Sequence, residues 1–359
     1  MLKILNHLSR SNRTLSKAIL IPVIIILAAC FAGNFYVWKS LERVNTETAR
    51  ARFNATIDTR IWILKNQLES YVSTLYSSRA ALEMSANPSR QTWTNFIESQ
   101  GLSRRYPAIV AVAYVRQVEG ATEQRSLMNE INSQKNPGEN EFRVYPDSSR
   151  SRKEIVAFVA PSKVSQGLIG YDLASDPVRD SALMKAAEQD TPTATEPLKL
   201  LPDNVKGILL ALPVNRTNHT DTNRGDAADV RGFAAMSIDL NILLRDVFKQ
   251  KPTAGQLSVA LSSPVSAEAD QTVFFKNDFS FNPKAGVQER TVILDVANQE
   301  WQVKFKAPKN YGLSATAKTL PILAVLSTNA LLFMITIIIY LGVRQRQTLR
   351  TPSNPSNQE

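Results

Sequence analysis

Histidine and cysteine are scarce in this chain of 359 residues, which has two histidines and one cysteine. His7 and His219 lie far apart in the sequence. A histidine-rich metal site therefore cannot form, and a histidine-based triad would depend on His219 alone. No glycine-rich phosphate loop follows a strand, and no cysteine pair has zinc spacing. Catalysis by carboxylates has no supporting motif. These absences predict a protein that is not an enzyme and needs no cofactor or metal.

The single cysteine, Cys30, lies inside an apolar run, so the rest of the chain has no disulfide framework and its core must be held by packing. Residues 27–30 resemble a lipoprotein cleavage box, which would make this run a removable signal and Cys30 a lipidated terminus. The run continues to Trp38 with aromatic residues at its outer edge, as is typical of a retained membrane anchor. Both alternatives place the following domain outside the cytoplasm.

Charge is also absent from two long apolar runs, residues 18–38 and 320–343. Each is long enough to cross a bilayer, which takes roughly 20 apolar residues in a helix. Basic residues flank both runs in the lead 1–17 and the tail 344–359: Lys3, Arg10, Arg13, Lys17, Arg344, Arg346 and Arg350. The pattern predicts a multi-pass protein of the bacterial inner membrane with both termini cytoplasmic and a large periplasmic domain.

The formal net charge of +10 does not indicate a nucleic-acid partner. Many of the excess basic residues lie at the chain ends, where they orient the two spans, whereas a nucleic-acid protein would concentrate them on its folded domain. The polar tail 344–359 is too short for a core of its own and is expected to be disordered.

Residues 40–88 predict a long stalk helix, because no glycine or proline interrupts them before Pro88. Apolar residues recur along it at spacings of three and four: Phe53, Ile57, Ile61, Leu64, Leu68, Tyr71, Leu75 and Leu82. Two readings of this stripe stay open. It covers one side of the following domain, or it forms a parallel seam between two subunits of a homodimer.

The central residues predict an α+β fold with an antiparallel sheet. Residues 89–250 form the membrane-distal unit, with a helix that begins at Asp176 and Pro177 and with strand candidates at 109–118, 141–145, 154–160, 206–216 and 232–240. Pro213 is expected to end its strand. Residues 251–312 form a smaller membrane-proximal unit with four further candidates at 256–262, 272–276, 290–296 and 302–306.

Several segments together resemble a CHASE domain, the extracytoplasmic sensor module of bacterial receptor kinases, diguanylate cyclases and plant cytokinin receptors. The resemblance covers residues 93–248, and it rests on EIVAFVAP at 154–161, GYDLASDPVRDSALMKAA at 170–187, TEP at 195–197 and GFAAMSIDLNILLRDVF at 232–248. It implies a long stalk helix followed by two PAS-like α/β units, of which the distal one binds a small molecule.

The resemblance also implies site residues. Thr195 matches the threonine that precedes the family's proline, and Leu210 and Leu212 are expected to form an apolar wall faced by Tyr114 and Phe158. Where cytokinin receptors have an aspartate that grips a purine, this sequence has Lys163, which favours an anion.

Two further residues of the resemblance, Asp172 and Arg179, are expected to be structural. An aspartate ahead of a helix commonly accepts backbone hydrogen bonds, and a buried arginine seven residues later can pair with it.

Members of this family usually carry a kinase or cyclase after the second span, where this sequence has residues 344–359. We therefore expect a ligand-binding sensor that signals through a separate membrane or cytoplasmic partner. The alternative is a non-catalytic scaffold or assembly protein whose sensor-like fold serves as an interaction surface.

Overall fold

The computed structural model describes residues 2–85, 88–134, 141–161, 167–201, 205–216, 230–248, 257–263, 273–277 and 286–348. The chain divides into two compact units, residues 1–54 with 309–359, and residues 55–308. Helices combine with antiparallel sheets, in agreement with the predicted mixed fold. The first helix, α1, is Leu2–Glu83 and contributes residues to both units.

The first unit contains the start of α1 and the helix α7, Ala315–Thr348. Among the described residues one helix is long and apolar enough to cross a membrane, by length and composition: Ala315–Ile339. It corresponds to the second predicted span. The first predicted span, residues 18–38, lies within α1 and is not confirmed.

In the second unit, the stripe on α1 is buried within the chain itself. Ile57, Leu64 and Leu75 are fully buried, and the ring of Tyr71 meets that of Tyr106 edge-on at 5.4 Å between centroids. The first reading of the stripe, as a cover for the following domain, therefore holds for these side chains. A homodimer through the stalk stays a prediction.

The main sheet is antiparallel, with strand order β2-β1-β6-β5-β3 and β4 paired to β5. Its strands are β1 (Ile109–Glu119), β2 (Arg152–Ala160), β3 (Thr193–Ala194), β4 (Leu198–Leu200), β5 (Val205–Asn215) and β6 (Val230–Asp239). Four of the five strands predicted for this unit are confirmed. The fifth, at 141–145, is wrong, because only an isolated bridge joins Tyr145 to Tyr171.

The remaining helices of this unit connect or flank the strands. They are α2 (Arg90–Ser99), α3 (Leu102–Arg105), α4 (Gly120–Ser133), a 3-10 helix (Leu173–Ser175), α5 (Pro177–Gln189) and α6 (Leu240–Val247). The predicted start of α5 is confirmed, since the Asp176 carboxylate accepts hydrogen bonds from the backbone N–H groups of Val178 and Arg179.

Pro213 does not end its strand, contrary to expectation. β5 continues to Asn215, and Pro213 lies opposite Phe233 of β6. On the other side of β5 the described pairing with β3 stops at Ala211, so no described ladder is interrupted by the missing N–H.

The second sheet is also antiparallel, in the order β8-β7-β10-β9. Its strands are β7 (Ser258–Ser262), β8 (Val273–Asn277), β9 (Val287–Val296) and β10 (Gln299–Pro308), which confirms the four predicted strands. Ala297 and Asn298 form the turn between β9 and β10 with φ values of 46° and 65°, as a two-residue hairpin requires.

Candidate functional site

One side of the main sheet packs against α5, and we call it the α5 face. Helix α5 covers it with Leu183, Ala186 and Ala187. Three of the strand residues beneath are alanines, which have small side chains. The buried strand residues on this face are Ala111, Val115, Val156, Val159, Leu209, Ala211, Phe233 and Ala235.

Ala113 is an exception on this face. It lies at the middle of the interior strand β1, between Val159 of β2 and Ala235 of β6, yet it is only partly buried. Solvent therefore reaches Ala113 on an interior strand of the sheet. Three other apolar side chains that pack against the same cluster are also only partly buried: Ile169, Tyr171 and Leu201. These four partly exposed apolar side chains are the candidate contacts for a small molecule on this face, since small-molecule sites are mostly apolar with a few polar groups.

Tyr171, which packs against this cluster, is paired with a second tyrosine, Tyr145. The rings of Tyr145 and Tyr171 are 5.5 Å apart, and the guanidinium of Arg179 lies over Tyr171 at 5.6 Å. The Tyr145 hydroxyl donates to the carbonyl of Gly167 at 2.6 Å. Burial, and to a smaller degree the neighbouring Tyr171, raise the pKa of Tyr145 above its usual value, so the phenol stays neutral and able to donate.

Thr195 is buried opposite Leu209, a residue of the α5 face. Its backbone N–H donates to the Leu209 carbonyl at 2.9 Å, and its Oγ1 accepts from the Leu209 N–H at 3.0 Å. Accepting this bond leaves the hydroxyl proton for donation elsewhere. Thr195 is therefore fixed to β5 by two bonds, with its hydroxyl oriented by the strand.

The other apolar candidates lie on the opposite side of the sheet. Leu212, Tyr114 and Phe158 form one row across the strands through Ala234, and Leu210 follows two residues earlier on β5. All four are fully or almost fully buried. Side chains alternate between the two sides of a strand, so the structure brings these four together but separates them from Thr195.

Tyr114 is the polar member of that row. Its ring is 5.9 Å from the ring of Phe158, and the guanidinium of Arg231 lies at 5.9 Å from the Tyr114 centroid. Burial raises the pKa of the Tyr114 hydroxyl, although Arg116 and Arg231 act in the opposite direction. A neutral, buried phenol is the consequence.

Asp172 accepts backbone hydrogen bonds as expected, but Arg179 does not pair with it. The Asp172 carboxylate accepts from the backbone N–H of Glu154 at 2.9 Å and of Ala174 at 3.1 Å. Arg179 forms its ion pair with Asp176 at 2.9 Å and donates to the Lys199 carbonyl at 2.8 Å. The expected pairing of Arg179 with Asp172 is wrong. Asp176 precedes Arg179 by three residues, about one helical turn, and side chains at this spacing are neighbours on a helix.

Lys163 and His219 lie outside the described residues. Within the described ranges, no group of three or more histidine, cysteine, aspartate or glutamate side chains is placed to hold a metal ion.

Two clefts lie elsewhere in this unit. One, of about 600 Å³, is lined by polar residues of α1 and by the α2–α3 region, among them Ser70, Thr74 and Arg105. The other, of about 480 Å³, lies between α2–α3 and the ends of β1 and β2, beside Val112 and Ala160. Neither contains a predicted site residue.

The CHASE-domain family model matches residues 86–275, more than half of the chain. The chain therefore belongs to the CHASE-domain family, as the sequence resemblance predicted. CHASE domains are extracytoplasmic sensor modules of membrane proteins and are not catalytic domains.

Several solved chemoreceptor domains are remotely similar. The ligand-binding domain of PctC from Pseudomonas aeruginosa, solved with GABA, is 15% identical with a TM-score of 0.42, covering 72% of this chain and 98% of that one. PctB from the same organism, solved with L-Gln, is 14% identical with a TM-score of 0.42 over 77% and 98%. CtaA from Pseudomonas fluorescens, solved with L-isoleucine, is 12% identical with a TM-score of 0.40 over 79% and 96%. A comparison with curated proteins gave no match.

Proposed function

We propose that this chain is a membrane-anchored sensor that binds a small ligand on the α5 face of its main sheet and signals across the membrane. Membership of the CHASE-domain family supports the sensing function. The observation that carries the location of the site is Ala113, which is partly open to solvent at the centre of an interior strand. A covered sheet has no structural reason to leave its middle accessible, whereas a ligand site needs such an opening.

The surroundings of Ala113 suit a small, mostly apolar ligand with a few polar groups. Ala111, Ala211 and Ala235 would form a floor of small side chains. Polar contacts would come from the Thr195 hydroxyl and from the tyrosines at the edge. Lys163 belongs to the stretch between Pro161 and Gly167 and is proposed to favour an anionic ligand.

The proposal includes the topology expected from the sequence. Both spans would be retained in the inner membrane, with both termini cytoplasmic, a periplasmic domain of two PAS-like units and a homodimer through the stalk. The signal would pass to a separate partner protein. The basic residues that flank the apolar runs support the orientation.

The test is a thermal-unfolding screen of the full chain in detergent against a library of small metabolites that includes organic anions. A ligand at about 100 times its dissociation constant adds roughly 2.7 kcal/mol to the folded state. Two matched variants then locate the site. Ala113→Val should keep the fold and lose the ligand-induced shift. Ala234→Val lies in the packed opposite side, so it should lower stability by about 1–3 kcal/mol but keep the shift.

Two results would contradict the proposal. If Ala234→Val abolishes the shift while Ala113→Val preserves it, the site lies on the opposite side with Leu210, Leu212, Tyr114 and Phe158. If no compound stabilises the parent chain, the scaffold alternative is favoured over a sensor.

A further inference from the structure

Two buried carboxylates belong to residues that are in contact at the end of the main sheet. Glu154 on β2 and Asp172 ahead of the 3-10 helix are both fully buried. Oδ1 of Asp172 accepts a hydrogen bond from the backbone N–H of Glu154 at 2.9 Å, so the two residues are in direct contact. Oε1 of Glu154 accepts from Arg152 at 3.0 Å.

Each carboxylate has a second oxygen that no group satisfies. Within the described part of the chain, Oε2 of Glu154 and Oδ2 of Asp172 are buried without a hydrogen-bond partner. An unsatisfied buried acceptor is costly, and two neighbouring carboxylates that both keep their charge add repulsion to that cost. A proton on Glu154 would remove one of the two charges and with it the repulsion between the carboxylates.

The positive charges around Glu154 and Asp172 are fewer than the negative charges. Arg152 contacts both Glu154 and Asp180 of α5, and Arg150 is 3.2 Å from Asp180. With Glu154 and Asp172, this makes three carboxylates against two guanidinium groups. Among the described residues, three neighbouring positions add no positive charge to the pair. Arg179 is paired with Asp176, and the residue opposite Glu154 on β1 is the neutral Gln117. Lys153 is the adjacent residue on β2 and therefore lies on the other side of the sheet.

We propose that Glu154, buried beside Asp172, is a proton-binding site that holds one proton at neutral pH. In this state the pair carries a single negative charge, which the two guanidinium groups and Asp180 balance. In agreement, burial raises the pKa of Glu154 to about 8; Arg152 opposes the rise, while Asp172 and Asp180 add to it. The ligand is a proton, and the site does not depend on the proposed ligand site on the α5 face.

The position of the pair gives the proton a structural effect. Asp172 accepts from the N–H of Ala174 at the start of the 3-10 helix, and Asp180 belongs to the first turn of α5. Loss of the proton would place another buried negative charge beside both residues. Alkaline pH would therefore destabilise the segment that leads into α5, the helix that covers the α5 face.

The direction of the pH dependence follows from the raised pKa. The folded state holds the proton more tightly than the unfolded state, so stability is full at pH values below the ordinary pKa of glutamate and falls as the pH rises through the folded-state value. Between about pH 5 and pH 8 the folding equilibrium constant should fall by up to tenfold per pH unit from this site.

The experiment measures the full chain in detergent between pH 5 and pH 9, by thermal unfolding and by the infrared absorption of protonated carboxyl groups. The parent should show a buried carboxyl band at neutral pH that disappears at alkaline pH. Glu154→Gln should lose that band and flatten the stability profile. Glu141→Gln removes an exposed glutamate and should keep both features of the parent.

A second variant tests whether the charge of Asp172 helps Glu154 to hold its proton. Asp172→Asn removes the neighbouring negative charge, so the carboxyl band of Glu154 should titrate at lower pH than in the parent. The proposal is overturned if the parent has no buried carboxyl band at neutral pH, if Glu154→Gln leaves the band and the profile unchanged, or if Asp172→Asn leaves the titration midpoint where it was.

Discussion

Lys185 of α5 donates a hydrogen bond to the backbone carbonyl of Asn298, in the turn between β9 and β10, at 2.7 Å. The same turn contacts the segment that follows α5, since the N–H of Ala194 donates to the carbonyl of Ala297 at 2.8 Å. Thr195 is the next residue along the chain. The tip of the second sheet is thus bonded to the segment that carries Thr195, which gives the proposed ligand site a direct mechanical connection to that sheet.

The Asn298 side chain contributes hydrogen bonds to this connection, and two substitutions can separate their contribution from that of the backbone conformation. Its amide contacts Oε1 of Gln189 and Oγ1 of Thr191, both at 2.9 Å. Asn298→Gly should remove these bonds, keep the positive φ and cost about 1 kcal/mol. Asn298→Ala should cost about 1–2 kcal/mol more, because alanine is strained in the left-handed region. Chemical denaturation measures both, and equal losses would contradict this account of the turn.

The strands were predictable from sequence, but the side of the sheet on which each residue lies was not. β5 reads as an almost continuous apolar run because it is buried on both sides, so its pattern lacks the alternation that distinguishes one side from the other. Leu210 and Leu212 were therefore placed on the correct strand but grouped with Thr195, which lies on the opposite side. β3 has only two residues and gives no periodic signal.

Other features depend on tertiary contacts that no local pattern encodes. The start of α5 was predictable because Asp176 and Pro177 form a local cap. The contact of Tyr145 with Tyr171 joins two loops that are distant in the sequence. The shared environment of Glu154 and Asp172 likewise arises only when β2 and the segment before α5 meet, although the sequence segment around Glu154 reads as an ordinary strand.

Arg79 on α1 provides a second point of attachment for the end of α5. Its guanidinium contacts Asp190 at 2.7 Å and Glu83 at 2.8 Å, and its side chain is only 11% exposed. Arg79→Ala should lower the free energy of unfolding by about 2–3 kcal/mol, since two carboxylates lose a charged donor in a partly buried setting. Lys65→Ala is the matched control. It removes the ion pair between Lys65 and Glu69, whose side chains are 62% and 64% exposed. The free energy of unfolding should therefore fall by less than about 1 kcal/mol.

The proposed orientation in the membrane predicts the behaviour of fusion reporters. A reporter that is active only in the cytoplasm should work when fused after residue 359 and fail when inserted within residues 217–229. The basis of this prediction is that basic residues beside an apolar run favour the cytoplasmic side, and both runs have such residues at the flank nearer the chain end. An active reporter within residues 217–229 would contradict the proposed orientation.

Gly170 lies at the edge of the proposed ligand site, where its backbone approaches that of residues 143–145 closely. Its φ is 89°, its carbonyl accepts from the N–H of Tyr145 at 2.9 Å, and a Cβ added there would lie 2.0 Å from the backbone oxygen of Arg143. Gly170→Ala therefore combines an unfavourable backbone conformation with a clash against backbone that cannot be relieved by a rotamer change.

Substitution of Gly120 provides a control that has the unfavourable backbone conformation without the clash. It also has a positive φ, of 75°, but an added Cβ meets nothing within 4 Å. Gly120→Ala should cost about 1–2 kcal/mol from conformation alone, and Gly170→Ala should cost at least about 2 kcal/mol more. Gly170→Ala should also weaken the ligand-induced thermal shift, because the clash displaces Tyr145 and Tyr171, whereas Gly120→Ala should leave it intact. If both substitutions reduce stability equally, the close approach of Gly170 to Arg143 does not constrain this edge of the site.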